Sequence, residues 1–267
     1  MSHIERISED VLVLSDLVPI DGRVSWLPPN ARGVEPYNSY VVLSDDRALL
    51  IDTGVALHED SLLQTLRDVI GSRQLVVFIT RIELDNLGNL GRIVELFPGV
   101  QVTTSNVVPL FKLVHISDGI APPLPARRIL IGNTLAEFGF PRIHIYEALI
   151  RTLGSTWLWD KNTQTLFTTD IFCTDMLEQP GQSIFRRDEA GFQSSNIMRE
   201  FILGKFDWLA LADTTPLLAR WNKFFTEIHP TVLAPIRGRV QVGRAVVSAT
   251  IEAYRKAALE FNNESIS

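Results

Sequence analysis

Ile79-Thr-Arg-Ile-Glu-Leu-Asp-Asn-Leu-Gly88 is the stretch on which the fold turns. It leaves Leu75-Val-Val-Phe-Ile-Thr80, an apolar run predicted to be a strand buried on both faces. It then opens a helix predicted over Asn89 to Phe97 and stopped by Pro98-Gly99. Glu83 and Asp85 stand two apart in this short loop, at the carboxyl end of a strand. Open α/β sheets bind their ligands there, so both carboxylates are candidates for one crevice. Each residue also has a plain structural alternative: Asp85 or Asn86 capping the following helix, and Gly88 easing the turn.

Outward from this loop the chain alternates strands and helices. Upstream, Val11–Ser15 reads as a strand. Asn38–Leu43 and Arg47–Asp52 read as a hairpin turning at Ser44-Asp-Asp46. Leucines at 62, 63 and 66 with Val69 mark one buried face of a helix from His58 to Ile70, with Gly71 as its C-cap. Downstream, Val100–Thr104 is another strand, and the whole order indicates layered α/β. Ile116–Arg127, with Gly119 and Pro122, Pro123 and Pro125, reads as an irregular connection. Strand-like runs follow at Thr134–Phe138, Arg142–Ala148, Thr156–Trp159 and Thr165–Thr169. Helices are predicted from Asn196 to Asp213 and from Thr215 to Ile228, then a strand at Thr231–Ala234 and a closing helix from Gly243 to Phe261. No linker or repeat divides the chain, so a single domain over 1–267 is expected, built as two sheets with helices outside.

Composition narrows the function classes. The 267 residues are 46% apolar and 21% charged, enough to bury a core. The net charge of −6 supplies no field toward nucleic acid or anionic lipid. One cysteine, Cys173, excludes a disulfide framework and a multi-cysteine zinc cluster. No leader peptide or bilayer-length apolar run is read, so a cytoplasmic protein is expected.

The motifs in order resemble the metallo-β-lactamase superfamily, closest to the flavodiiron and oxygen-binding diiron branch. The resemblance rests on Asp52-Thr-Gly54 after the hairpin, then the Arg81-Ile-Glu-Leu-Asp-Asn-Leu-Gly88 loop with Glu83 at its second acidic or histidine position. It continues through Arg151-Thr-Leu-Gly-Ser155, Leu166-Phe-Thr-Thr-Asp170 and Pro235-Ile-Arg-Gly238, and spans roughly Asn38 to Val240. The fold it implies is an αββα sandwich of two mixed sheets flanked by helices. Head-to-tail pairing in diiron relatives implies a homodimer.

The same resemblance places histidine ligands at 81, 86, 151 and 237, where this chain has Arg81, Asn86, Arg151 and Arg237. The acidic ligand positions remain, as Glu83, Asp85 and Asp170. A guanidinium stays protonated and has no lone pair for a metal. Three arginines against three carboxylates balance in charge, so an Arg/carboxylate ion-pair network is expected where the family holds two metals.

No cofactor is therefore expected, and the predicted role is metal-free and non-hydrolytic: binding a small molecule, an anionic one included, or a protein partner. Two alternatives stand beside it. One is a metal-dependent hydrolase or diiron-type oxidoreductase using iron, zinc or manganese, with Glu83, Asp85 and Asp170 as the oxygen ligands. The other is a metal-independent enzyme with Asp85 or Glu83 as general base and an arginine stabilising negative charge. Five histidines lie off the motif positions, and His144 reads as packed or surface. Cys173 reads as a small buried hydrophobe. Ser155 and Ser183 lack His–Asp company. The late aromatics from Phe201 to Phe225 read as core and interface, and Arg186-Arg-Asp-Glu189 as a solvated loop.

Overall fold

A computed structural model describes residues 2–22, 27–107, 110, 126–150, 154–188 and 195–264. Its strands form two seven-stranded mixed sheets with helices flanking them, the architecture expected. The chain divides into two compact units. One comprises Met1–Asp16, Tyr37–Thr163 and Phe167–Thr169; the other comprises Leu17–Pro36, Gln164–Leu166 and Asp170–Ser267.

The first unit carries the sheet ordered β1 (His3–Arg6), β2 (Val11–Pro19), β3 (Val34–Leu43), β4 (Arg47–Ile51), β5 (Gln74–Ile79), β6 (Gln101–Thr104) and β7 (Ala126–Arg128). The predicted hairpin is present, with Tyr40 opposite Ile51 and Leu43 opposite Ala48. From β4 onward the pairing is parallel, so each step needs a crossover. α1 (Glu59–Ile70) makes the first; α2 (Leu84–Leu87) and α3 (Leu90–Leu96) make the second. Gly71 ends α1 at a φ of +57°.

Period-two alternation in the strands meets period-3.6 spacing in the helices on one face of this sheet. Ala48, Leu50, Leu75, Val77 and Ile79 pack with Leu62, Leu63, Leu66 and Ile70 of α1, Leu87 of α2, and Leu90 and Ile93 of α3. Each such side chain contributes roughly 1.5–3 kcal/mol on burial, which fixes the helices against the sheet. Both crossovers therefore leave β4 and β5 at the same, carboxyl edge. On the opposite face, Tyr40 meets Phe167 edge-on, with ring centroids 5.1 Å apart. Phe167 belongs to β11 (Thr165–Thr169), in the second sheet beside β10 (Thr156–Asp160), β9 (Phe140–Glu147) and β8 (Thr134–Leu135). Arg142 of β9 pairs with Asp10 and with the fully buried Asp160 at 3.2 Å.

The second unit holds β12 (Phe185–Arg186), β13 (Val232–Pro235) and β14 (Val240–Val242), with α4 (Ser195–Phe206), α5 (Thr215–Glu227) and α6 (Arg244–Glu264). β14 lies between β12 and β13, parallel to the first and antiparallel to the second. The aromatic residues expected in the core supply much of it. Phe172 and Tyr254 meet at 4.6 Å, Phe172 and Trp221 at 5.6 Å, and Trp221 and Phe225 at 5.0 Å. Trp208 differs, being half exposed.

Several boundaries depart from expectation. The run Thr134–Phe138 is strand for two residues only. The rest is a tight 3₁₀ turn closed at Gly139, whose φ of +91° reverses the chain. The helix predicted to Asp213 stops at Phe206, because the Asp207 side chain accepts the Trp208 N–H and competes with the helical backbone. Arg186 is not in a solvated loop. It sits in β12 and grips Asp175 through Nε and Nη2, at 2.7 and 2.8 Å. The connection predicted over Ile116–Arg127 lies outside the described residues up to 125; Arg127 itself belongs to β7.

Candidate functional site

The loop after β5 is held by its backbone before any side chain acts. Arg81 bridges Ser155, and Thr156 donates its N–H to the Thr80 carbonyl at 3.0 Å. On the other side, Thr53 donates its N–H to the Asn86 carbonyl at 2.6 Å, and Gly88 donates to the Gly54 carbonyl at 2.9 Å. That approach demands glycine at 88: a Cβ would lie 2.7 Å from the Gly54 oxygen. Asn89 adds side-chain bonds to the Thr53 and Val55 carbonyls. The ends of β4 and β5 thus form one cross-braced edge.

Within that frame a single guanidinium gathers the loop. Arg81, whose side chain is 6% exposed, donates from Nη2 to Asp85 Oδ2 at 2.5 Å, from Nη1 to Glu83 Oε2 at 2.8 Å and from Nε to Asn86 Oδ1 at 3.1 Å. Asp85 is nearly buried, whereas Glu83 is half exposed. Neither Asp85 nor Asn86 caps a helix. Glu83 occupies the N-cap position of α2, Asn89 that of α3, and neither makes a side-chain cap bond.

The network continues inward. Asn86 Nδ2 donates to Thr80 Oγ1 at 3.1 Å, and Thr80 donates both its hydroxyl and its N–H to Asp52, at 2.6 and 2.8 Å. Asp52 directly follows β4 at a φ of +59°, a left-handed conformation that aspartate tolerates better than most residues. Burial pushes its carboxyl up to about 7, against the lowering influence of Thr80, Asn86 and Arg81. The order Asp52–Thr80–Asn86–Arg81–Asp85 is a continuous hydrogen-bonded path from the core to the loop.

Asp170 and Arg237 lie in the second unit, in the neighbourhood of Cys173. Burial pushes the Cys173 thiol up; Lys205 and Arg237 oppose that rise, while Asp170 and Glu35 add to it. Asp170 and Glu35 are buried, and Lys205 donates to the Asp170 carbonyl at 3.2 Å. Arg237 leads into Gly238, at a φ of +76°, whose N–H donates to the Pro36 carbonyl. Arg151 lies outside the described residues.

Sequence reasoning missed three members of these groups and gave a fourth, Asp52, no role of its own. Asp52 was legible only as part of an Asp-Thr-Gly motif, a combination suited to a left-handed strand exit. Thr80, Glu35 and Lys205 carried no local signal, because their roles come from partners distant in sequence. His144 sits in β9 opposite Trp159, and Cys173 is buried. Among the described residues, no three His, Cys, Asp or Glu side chains converge so as to hold a metal ion, and no helix is long and apolar enough to cross a membrane.

Comparison with known proteins places this geometry. The sequence model of the metallo-β-lactamase superfamily matches residues 32–189. No curated protein matches in sequence. Rubredoxin oxygen:oxidoreductase from Desulfovibrio gigas superposes with a TM-score of 0.68 at 17% identity, covering 96% of this chain and 62% of its own. The flavodiiron core of Flv1 from Synechocystis sp. PCC6803 gives 0.68 at 15% identity, with 97% and 61% covered. A metallo-beta-lactamase from Pontibacter korlensis gives 0.59 at 16% identity, with 96% and 99% covered. The chain thus spans less than two thirds of the first two structures. At these identities the likeness is one of fold.

Proposed function

This chain belongs to the metallo-β-lactamase superfamily, and from that premise we propose that it is a metal-free, non-hydrolytic binding member of that fold. One observation carries the reading: Arg81 spends three donor nitrogens on Asp85, Glu83 and Asn86. Those acceptor atoms belong to the loop positions where the family resemblance puts metal ligands. A permanently protonated guanidinium among them both occupies the oxygens and adds a positive charge, so the residues present do not fit a metal. A small molecule or a protein partner is then bound, not hydrolysed.

Elemental analysis tests this directly. Protein produced in medium supplemented with iron, zinc and manganese is purified without chelator and its metal content measured. The expected content is far below one ion per chain. Near-stoichiometric iron, zinc or manganese, lost together with stability on chelation, overturns the reading.

A further inference from the structure

In the second unit, the turn Ile228-His229-Pro230 faces the opening turns of α6 across a cavity of about 360 Å³. α6 contributes Arg244, Ser248, Ile251 and Glu252, which fall at the i, i+4, i+7 and i+8 spacing of one helix face. Its apolar lining comes from Ile228, Pro230 and Ile251 with Phe225. Phe225 is held rigidly by Trp221 at 5.0 Å and Phe172 at 6.4 Å.

The charges around this cavity are unbalanced. Glu252 is already engaged, its two oxygens accepting from Arg255 Nε and Nη2 at 2.7 Å each. Those bonds hold its carboxyl below the usual range. Among the described residues, no hydrogen bond or ion pair engages the Arg244 guanidinium, the His229 ring or the Ser248 hydroxyl. The cavity mouth therefore presents one exposed guanidinium without a counter-ion, two further exposed hydrogen-bonding groups and apolar lining beside them.

We propose that this cavity is a binding site for a small carboxylate with a short apolar body, held by Arg244 with Ser248 and His229 as hydrogen-bond partners. A guanidinium matches a carboxylate bidentately. The volume lies within the range of about 300–1,000 Å³ usual for ligand pockets, at the end that suits a compact guest. A neutral isostere forfeits the charged contact, and inorganic phosphate forfeits the apolar lining. The site shares no residue with the Arg81 network, so it stands or falls independently of the metal-free reading.

The test uses the full chain and 4-fluorobenzoate, followed by fluorine NMR relaxation and calorimetry, with 4-fluorobenzyl alcohol and inorganic phosphate as comparators. The expected result is saturable binding of 4-fluorobenzoate with a millimolar Kd and none of either comparator. Arg244→Ala raises that Kd at least tenfold, roughly 1.4 kcal/mol, with an unchanged melting temperature. Ser248→Trp, which fills the cavity, abolishes binding, and Arg32→Ala, at an exposed arginine that does not line this cavity, leaves it unaltered. Absence of saturation, equal binding of the alcohol or phosphate, or an affinity indifferent to Arg244→Ala overturns the proposal.

Discussion

Replacing Arg81 by alanine leaves Asp85, about one tenth exposed, without its 2.5 Å guanidinium partner. Stripping one member from a buried pair costs about 3–5 kcal/mol. Glu83 adds little, since a half-exposed carboxylate recovers its solvation and such contacts are worth ~0.2–1 kcal/mol. Asp85→Ala leaves Arg81 with Glu83 and Asn86, so its cost falls near the lower end, about 3 kcal/mol. The double variant contains neither buried charge. Its loss is expected to fall short of the summed single losses by ~2–3 kcal/mol, the upper part of the range for contacting residues. Urea denaturation of the four proteins measures this cycle. In melting temperature, each kcal/mol corresponds to roughly 2–4 °C for a chain of this size. Additivity within ~0.5 kcal/mol refutes the claim that Arg81 and Asp85 stabilise each other.

Three further outcomes follow from other residues. Asp52 is shifted upward by burial to about 7. Below that value and above about pH 4 the native state keeps a proton the unfolded chain has released, so stability falls as pH rises through this window. Asp52→Asn flattens that slope in urea midpoints measured across the window, and an unaltered slope excludes Asp52 as its source. Gly33→Ala places a Cβ 2.0 Å from the Leu177 carbonyl oxygen at a φ of +97°, which forces the Val34–Leu177 bridge apart. It is expected to cost several kcal/mol by combining steric overlap with a left-handed backbone, and a melting temperature equal to wild type contradicts the close approach. Cys173, buried and with its thiol pushed upward, is expected to react with iodoacetamide only as fast as the protein unfolds. Prompt stoichiometric alkylation of the native protein counts against that burial.

The first half of the fold was legible because its signals were local. The apolar runs of the β3–β4 hairpin flanking its Ser44-Asp-Asp46 turn, the leucine stripe of α1 and the apolar run of β5 each specify an element without help from afar. The short strands β1, β12 and β14 were not legible, since two to four residues hold too little periodicity to separate from a loop. Arg186 illustrates the cost: in a run of four charges it reads as solvated, but its carboxylate partner lies eleven positions upstream. At the site, Arg81, Glu83, Asp85 and Asn86 were recoverable from one stretch because they fit within six residues. The inner part of the path was hidden, as Thr80 gains its role only when Asp52, 28 positions away, turns toward it.

Interlocking of this kind also limits which single substitutions the loop can absorb. Thr80 aims Asn86, Asn86 meets Nε, and Asp85 is clasped by Nη2, so a change at one member disturbs the contacts of the next. A change at Arg81 or at Asp85 alone gives up a buried ion pair, and that stability returns only with a second change at the partner.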